Sequence, residues 1–293
     1  QDGIAGDPTD PWTRFELAKL YLKEGQKQEA IGLVNGLLSS QPNDPNTIYA
    51  TAMLYSQMDD WPNALKFIEK VNPRLRTPSI AEFQRAAWME VQLIYAVEFA
   101  RKGSTTQSMS VFNRAEIIAG QDPALLGKLS RAYIDAGMTD KGVNLLRQKV
   151  TLSAGKSTDL LIEYGNVLLK TNQSVESSNI LRQLQLKSLS AEQKQNFDQL
   201  VYSYSVKQAE SLVQLGKPRE AIRILVDLQN QRPTDSGTLI ALSNAYAANG
   251  QGPKAIELLQ NLEEKYPNNP DIIYSLVLAN IQSRNFPKAL AHL

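Results

Sequence analysis

The chain has 293 residues, 42% of them hydrophobic, with 31 Lys plus Arg against 30 Asp plus Glu and a formal net charge of +1. It holds no cysteine and one histidine, His292, next to the last residue; this excludes disulfides, thiol nucleophiles, cysteine-type metal sites and a buried Ser-His-Asp triad. The charge balance gives no electrostatic basis for nucleic acid or an anionic membrane as partner, and no run of 18 apolar residues is present to span a bilayer as a helix.

In chain order, helix-start signals recur. Asp10-Pro11, Asp44-Pro45, Asp122-Pro123 and Asn269-Pro270 each precede a stretch of helical apolar spacing. An Asp or Asn cap followed by proline starts a helix well, because the missing N–H costs nothing in the first turn. Pro62, Pro218, Pro253 and Pro287 open a second helix after a tight turn. In these second helices Ala30, Ala64, Ser108, Gly142, Ser177, Ala221, Ala255 and Ala289 are the small residues, and one turn on stand Val34, Ile68, Phe112, Leu146, Leu181, Leu225, Leu259 and Leu293. In the first helices Ala18, Ala52, Ala96, Ser130, Gly165, Ala209 and Ser243 are followed at three residues by Tyr21, Tyr55, Phe99, Tyr133, Leu168, Leu212 and Tyr246. Small residues beside large apolar ones are what closely crossing helices require. Between the helices lie Gly25, Gly103, Gly137, Gly216 and Gly250, with Asp59 and Asn172 as substitutes that tolerate a left-handed turn.

Successive small residues of the second helices are 34, 44, 34, 35, 44, 34 and 34 apart. The unit is therefore 34 residues long, with two insertions of about ten, near 72–88 and 185–201. Ser79 with Glu82, and Ser190 with Gln193, read as capping boxes, so both insertions are expected to lengthen a first helix to roughly 20–25 residues. This register resembles the tetratricopeptide repeat, whose closing proline recurs as Pro42, Pro233 and Pro267. The resemblance implies an all-α right-handed superhelical solenoid of about eight helix-turn-helix units with two extended-helix interruptions. The expected organisation is a tail over 1–10, repeats 1–2 over 11–73, an extended helix with repeats 3–5 over 74–191, and another with repeats 6–8 over 192–293. The interruptions are expected to break the regular twist. An array that opens after Gln1–Gly6 and stops at Leu293 within a second helix, with no polar terminal repeat, is expected of a piece of a longer chain.

In this family the groove is lined by the second, fifth, ninth, twelfth and thirteenth positions of each unit. Those positions hold Trp12, Phe15 and Lys19, then Tyr49, Met53 and Gln57, and further on Arg131, Asp135, Asn166, Lys170, Glu210, Asn244 and Tyr274. Aromatic faces with amides and charges suit an extended peptide or a glycan chain; the alternative is that Trp12 and Phe15 plug a helix entry and the rest is solvated surface. The fifth positions, Phe15, Tyr49, Leu93, Gly127, Ile162, Val206, Ile240 and Tyr274, include no lysine, so a carboxylate clamp for chaperone tails is not expected. The carboxylate pairs Glu263-Glu264 and Asp59-Asp60 sit at helix ends and turns, where they cannot face one another across a glycosidase cleft. No catalytic residue, metal site or cofactor is expected. Asn172-Gln173-Ser174 matches a glycosylation sequon, but Asn172 is explained by the turn.

The first 150 residues carry a narrower resemblance. Asp10-Pro11-Trp12-x-Arg14-x-x-Leu17-Ala18-x-Leu20-Tyr21-Leu22, Gly25-Gln26 and Glu29-Ala30 resemble a repeat of the bacterial cellulose synthase operon protein C family, as do Pro42-Asn43-Asp44-Pro45, Tyr49-Ala50 and the stretch Val71-Asn72-Pro73 to Arg76-Thr77. The resemblance implies a periplasmic array followed, in the parent protein, by an outer-membrane β-barrel. It would link the synthase, other periplasmic components and the export pore, and guide the glucan chain. Its partners would be proteins of the cellulose synthase complex and the glucan itself. A scaffold of another exopolysaccharide exporter, of the poly-N-acetylglucosamine type, and a cytoplasmic peptide-binding adaptor are the alternatives; an enzyme is a third.

Overall fold

A computed structural model describes residues 10–291, and along them sixteen α-helices follow one another with no strand. They pair as α1 (Pro11–Lys23) with α2 (Lys27–Ser40), α3 (Pro45–Gln57) with α4 (Trp61–Ile68), and α5 (Pro78–Arg101) with α6 (Thr105–Ala119). Next come α7 (Pro123–Asp135) with α8 (Thr139–Leu152), α9 (Thr158–Lys170) with α10 (Ser174–Gln185), and α11 (Ala191–Gln214) with α12 (Pro218–Gln231). The last pairs are α13 (Ser236–Ala248) with α14 (Gly252–Lys265), and α15 (Pro270–Gln282) with α16 (Phe286–Ala291). Odd-numbered helices are the first helices of each repeat. This is the tetratricopeptide-repeat solenoid fold expected from the register. The tail expected over 1–10 lies outside the described residues except for Asp10, as do His292 and Leu293.

Each first helix has a side-chain cap. The carboxylates of Asp10, Asp44 and Asp122 and the amide of Asn269 accept from backbone N–H groups of the first turn, and Asp235 and Ser157 do the same for α13 and α9. Each first helix ends alike. The turn residue has positive φ, as at Gly25 (77°) and Asp59 (58°), and the next N–H reaches back five residues, Gln26 to the Tyr21 carbonyl at 2.8 Å and Asp60 to the Tyr55 carbonyl at 3.0 Å. This paired closure satisfies carbonyls that a helix end leaves open. The eighth repeat does it with Arg284 (φ 58°), which the turn chemistry of the sequence did not single out.

The small residues occupy the helix crossings. Ala18, Ala52, Ala96, Ala209, Ala30, Ala64, Ala221 and Ala255 are all 0% exposed, and Ile68, Phe112, Leu146, Leu225 and Leu259 beside them are equally buried. Each such large side chain contributes about 1.5–3 kcal/mol on burial. Two of the four serines at these positions bond across the crossing: the Ser108 hydroxyl donates to the Ala96 carbonyl at 2.8 Å and the Ser130 hydroxyl to the Gly142 carbonyl at 2.7 Å.

Both insertions lengthen a first helix, α5 and α11, to 24 residues each. For α11 the expected box forms, with the Gln193 N–H on Ser190 Oγ and the Ser190 N–H on Gln193 Oε1, both at 3.2 Å. For α5 it does not. Thr77 is the cap, its hydroxyl oxygen accepting from the Ile80 N–H at 3.3 Å, and Ser79 lies inside the helix. Pro78 explains the earlier start: a proline in the first turn forfeits no hydrogen bond and has its φ already set.

Packing divides the chain into two blocks, Gln1–Leu146 and Arg147–Leu293. In the first, α5 packs on α4, α6 and α7. Arg85 pairs with Asp122 at 2.9 Å and Glu90 pairs with Lys128, whose ammonium also sits 5.0 Å above the Trp61 ring. Phe112 stacks on Tyr133 at 4.1 Å. In the second block one cluster runs from Tyr202 and Ala209 of α11 to Ile272, Leu276 and Ala279 of α15. There Arg147 donates to Glu176 at 2.8 Å and to the Tyr164 hydroxyl at 2.9 Å, and that hydroxyl donates to Glu176 at 2.5 Å.

Candidate binding faces on the first helices

In the first block three first helices meet through aromatic edges. On α1, Trp12 and Phe15 are three apart and so share a face; their rings meet edge-on at 6.2 Å. Trp12 meets Tyr49 of α3 at 5.6 Å and 86°, and Tyr49 meets Phe83 of α5 at 5.4 Å. The electropositive rim of one ring thus lies against the negative face of the next, an arrangement worth about 0.5–1.5 kcal/mol per pair beyond area burial. Phe15 is 4% exposed and belongs to the core with Ala18, Ala30, Val34, Ala50 and Leu54, against which Met53 packs. Trp12 is 37% exposed, and Lys19 lies 5.3 Å from the Phe15 centroid while pairing with Glu16 at 2.9 Å. Burial, and then the nearby Glu82 charge, push the Tyr49 phenol above its ordinary pKa, so it stays a neutral hydrogen-bonding group.

The structure therefore brings Trp12, Phe15, Lys19, Tyr49 and Met53 together. Arg131 stands half-buried on α7. In the second block Asn166 is half-buried, Lys170 and Asn244 are exposed, and Tyr274 is 65% exposed. Phe83 was missed because it lies in the first insertion, to which a 34-residue numbering assigns no position. Its signal was an aromatic residue in the helical extension, 13 residues ahead of Ala96.

The second block also holds two adjoining cavities along α11. One, of about 550 Å³, lies between the end of α9, the α9–α10 turn and the later half of α11; the other, of about 260 Å³, lies between α9, the middle of α11 and the start of α13. Leu169 and Lys207 border both. Lys170 lines the smaller one, so one of the groove residues read from the sequence belongs to it.

Among the described residues no group of three or more His, Asp or Glu side chains is placed to hold a metal ion, and no helix is long and apolar enough to cross a membrane.

A family model described as tetratricopeptide repeat matches residues 1–54, and one described as Psidin, N-terminal TPR repeats region, matches residues 173–291. A protein of Pseudomonas fluorescens (strain SBW25) named cellulose synthase operon protein C is 33% identical over 291 residues, 99% of this chain and 23% of that protein. One of the same name from Xanthomonas axonopodis pv. citri (strain 306) is 30% identical over 258 residues, 87% of this chain and 17% of that protein. The chain thus spans less than a quarter of the length of either relative. Among solved structures, a tetratricopeptide repeat protein from Parabacteroides merdae ATCC 43184 aligns with a TM-score of 0.54 at 12% identity, over 92% of this chain and 98% of that one. That last likeness is one of fold alone.

Proposed function

The chain belongs to the tetratricopeptide-repeat family and is homologous over nearly all its length to cellulose synthase operon protein C, and from that premise we propose that it is a non-catalytic scaffold of a bacterial cellulose synthesis and export complex. The observation that carries the reading is that homology, because it extends over 99% of the chain and so runs through both insertions and both blocks.

In this reading the array lies in the periplasm, its parent protein is anchored by an outer-membrane barrel, and it links synthase components to the export pore. Its work is done by shape and surface. Repeated first helices present long faces at fixed spacing, which suits binding without chemistry. In the first block the contact residues are Trp12, Lys19, Tyr49, Met53 and Arg131, with Phe15 holding Trp12 in place from the core. In the second block they are Asn166, Lys170, Asn244 and Tyr274. The extended helices α5 and α11 interrupt the 34-residue rhythm and set off the stretches 11–73, 74–191 and 192–293, so that the twist changes at those two places.

The test uses the full-length gene in a cellulose-producing host, with the codons for residues 11–291 removed in frame. A scaffold predicts that exported cellulose falls severalfold while isolated membranes still polymerise glucan at the parental rate. Unchanged export, or a loss of polymerisation as large as the loss of export, would overturn the reading.

A further inference from the structure

The second extended helix has one face that the core does not use. Phe197, Leu200, Tyr202 and Ala209 of α11 are buried, whereas Gln199, Ser203, Lys207 and Ser211 recur every fourth residue and so form one stripe. Tyr204 and Gln208 form the stripe beside it. The two cavities adjoin along these stripes, and from Gln199 to Leu215 the lining extends about 24 Å at 1.5 Å per residue. The larger cavity falls within the roughly 300–1,000 Å³ of small-molecule sites.

The lining chemistry narrows the occupant. Lys170 and Lys207 are matched in number by Glu210 and Asp235. Lys207 pairs with Glu210 at 2.7 Å, and Asp235 accepts from the N–H and hydroxyl of Thr238 at 2.8 and 2.7 Å. A polyanion would therefore meet cations already balanced by carboxylates, with little net attraction. A wholly apolar ligand would strand the amides of Gln208, Gln214 and Asn172 without water, which costs about 1–3 kcal/mol for each unpaired group. An extended peptide is held in helical grooves by apolar anchors in deep pockets or by charge clamps; here Lys207 is already paired with Glu210, and Leu169, Leu212 and Leu215 are interleaved with amides and hydroxyls instead of forming one apolar pocket. A neutral polyhydroxylated chain fits: its hydroxyls both donate and accept, as glutamine and serine do, and its C–H faces can lie on the Tyr204 ring and on Leu169, Leu212 and Leu215.

We propose that this trough is a glycan site that takes a neutral oligosaccharide; resting on the function proposed above, the sugar is a β-1,4-linked glucan. The site is independent of the aromatic cluster on α1, α3 and α5. Because it lies beside an extended helix, its length comes from the insertion and not from the regular repeat.

Titrating the 293-residue chain with cellohexaose and with maltohexaose, by calorimetry, tests it. The expected result is saturable binding of cellohexaose in the millimolar range or tighter. Tyr204→Ala and, separately, Gln208→Ala should weaken it about tenfold with an unchanged far-UV circular dichroism spectrum, and Lys66→Ala, at an exposed position of the second helix α4 outside both binding faces, should leave it alone. Gln208 is exposed, so its variant keeps the test valid if Tyr204→Ala unfolds. Absence of binding by both sugars, or binding that neither trough variant weakens, overturns the site. Binding of maltohexaose alone, weakened by the trough variants, overturns the β-1,4 assignment while the glycan site stands. Failure of the scaffold reading shows separately, as unchanged cellulose export in cells.

Discussion

Gly142 and Gly165 occupy equivalent kinds of crossing, one in a second helix and one in a first, yet a methyl group should be tolerated at only one of them. A Cβ at Gly142 would stand 2.5 Å from the Ser130 carbonyl oxygen, 3.0 Å from Ile134 Cγ1 and 3.3 Å from Tyr133 Cβ. The carbonyl belongs to the body of α7 and moves only with that helix, so α7 and α8 must part, straining the 2.7 Å bond from Ser130 Oγ to the Gly142 carbonyl. Overpacking of this kind costs about 1–3 kcal/mol and a weakened buried hydrogen bond about 1 more. Alanine's better helix propensity returns about 1 kcal/mol. Gly142→Ala should therefore destabilise the first block by about 2 kcal/mol, which lowers a urea midpoint by roughly 1 M at a typical slope. At Gly165 the nearest atom to a new Cβ, at 2.6 Å, is Leu200 Cδ2, the free end of a side chain that can swing away. Gly165→Ala should then fall within about 1 kcal/mol of the parent. The assay has a built-in address, because Trp12, Trp61 and Trp88 are the three tryptophans of the chain and all lie in the first block. Tryptophan fluorescence should register Gly142→Ala and not Gly165→Ala, while far-UV circular dichroism reads both blocks. A fluorescence midpoint for Gly142→Ala equal to or above the parent's would refute the argument.

Arg284 holds a left-handed turn (φ 58°) that five of the other repeats give to glycine. Arg284→Gly removes about 1–2 kcal/mol of strain against a smaller entropic loss, so circular dichroism should show a higher melting temperature, and Gly250→Arg should lower it. Burial, and secondarily the Glu116 charge, push the Tyr133 phenol up to about 12. The folded state then keeps a proton that the unfolded chain loses near pH 10, so stability is whole below about pH 10 and drains away as pH rises toward 12. Tyr133→Phe should flatten that alkaline decline in urea midpoint; an unchanged slope would count against it. The hydrogen bond from Arg147 holds the Glu176 carboxyl below its ordinary range, partial burial opposes the shift, and Tyr164 adds a further bond. That contribution is present above the unfolded carboxylate pKa and is lost as pH falls through the folded value. Glu176→Gln should accordingly lower stability at neutral pH and reduce its fall on acidification, as followed by melting temperature against pH.

Whatever repeats locally in this chain was legible from its residues alone. Caps such as Asp44 and Asp122, the left-handed turns at Gly25 and Asn172, and the buried small residues from Ala18 to Ala255 are set within one helix or one turn. Each is imposed by the backbone's own demands: unsatisfied N–H groups, a φ above zero, or no room for a side chain. Those demands also fixed the unit length and located both extended helices, although at α5 the competition between Thr77-Pro78 and Ser79 was settled only in three dimensions. Tertiary packing governed what depends on distances between helices tens of residues apart. It placed Phe15 in the core, joined Phe83 to Tyr49 across the first insertion, opened the trough along α11, and set a backbone carbonyl against Gly142 but only the end of a side chain against Gly165. Periodicity says which face of a helix is covered. How closely the neighbouring helix approaches that face depends on the side chains of both, and neither segment states it alone.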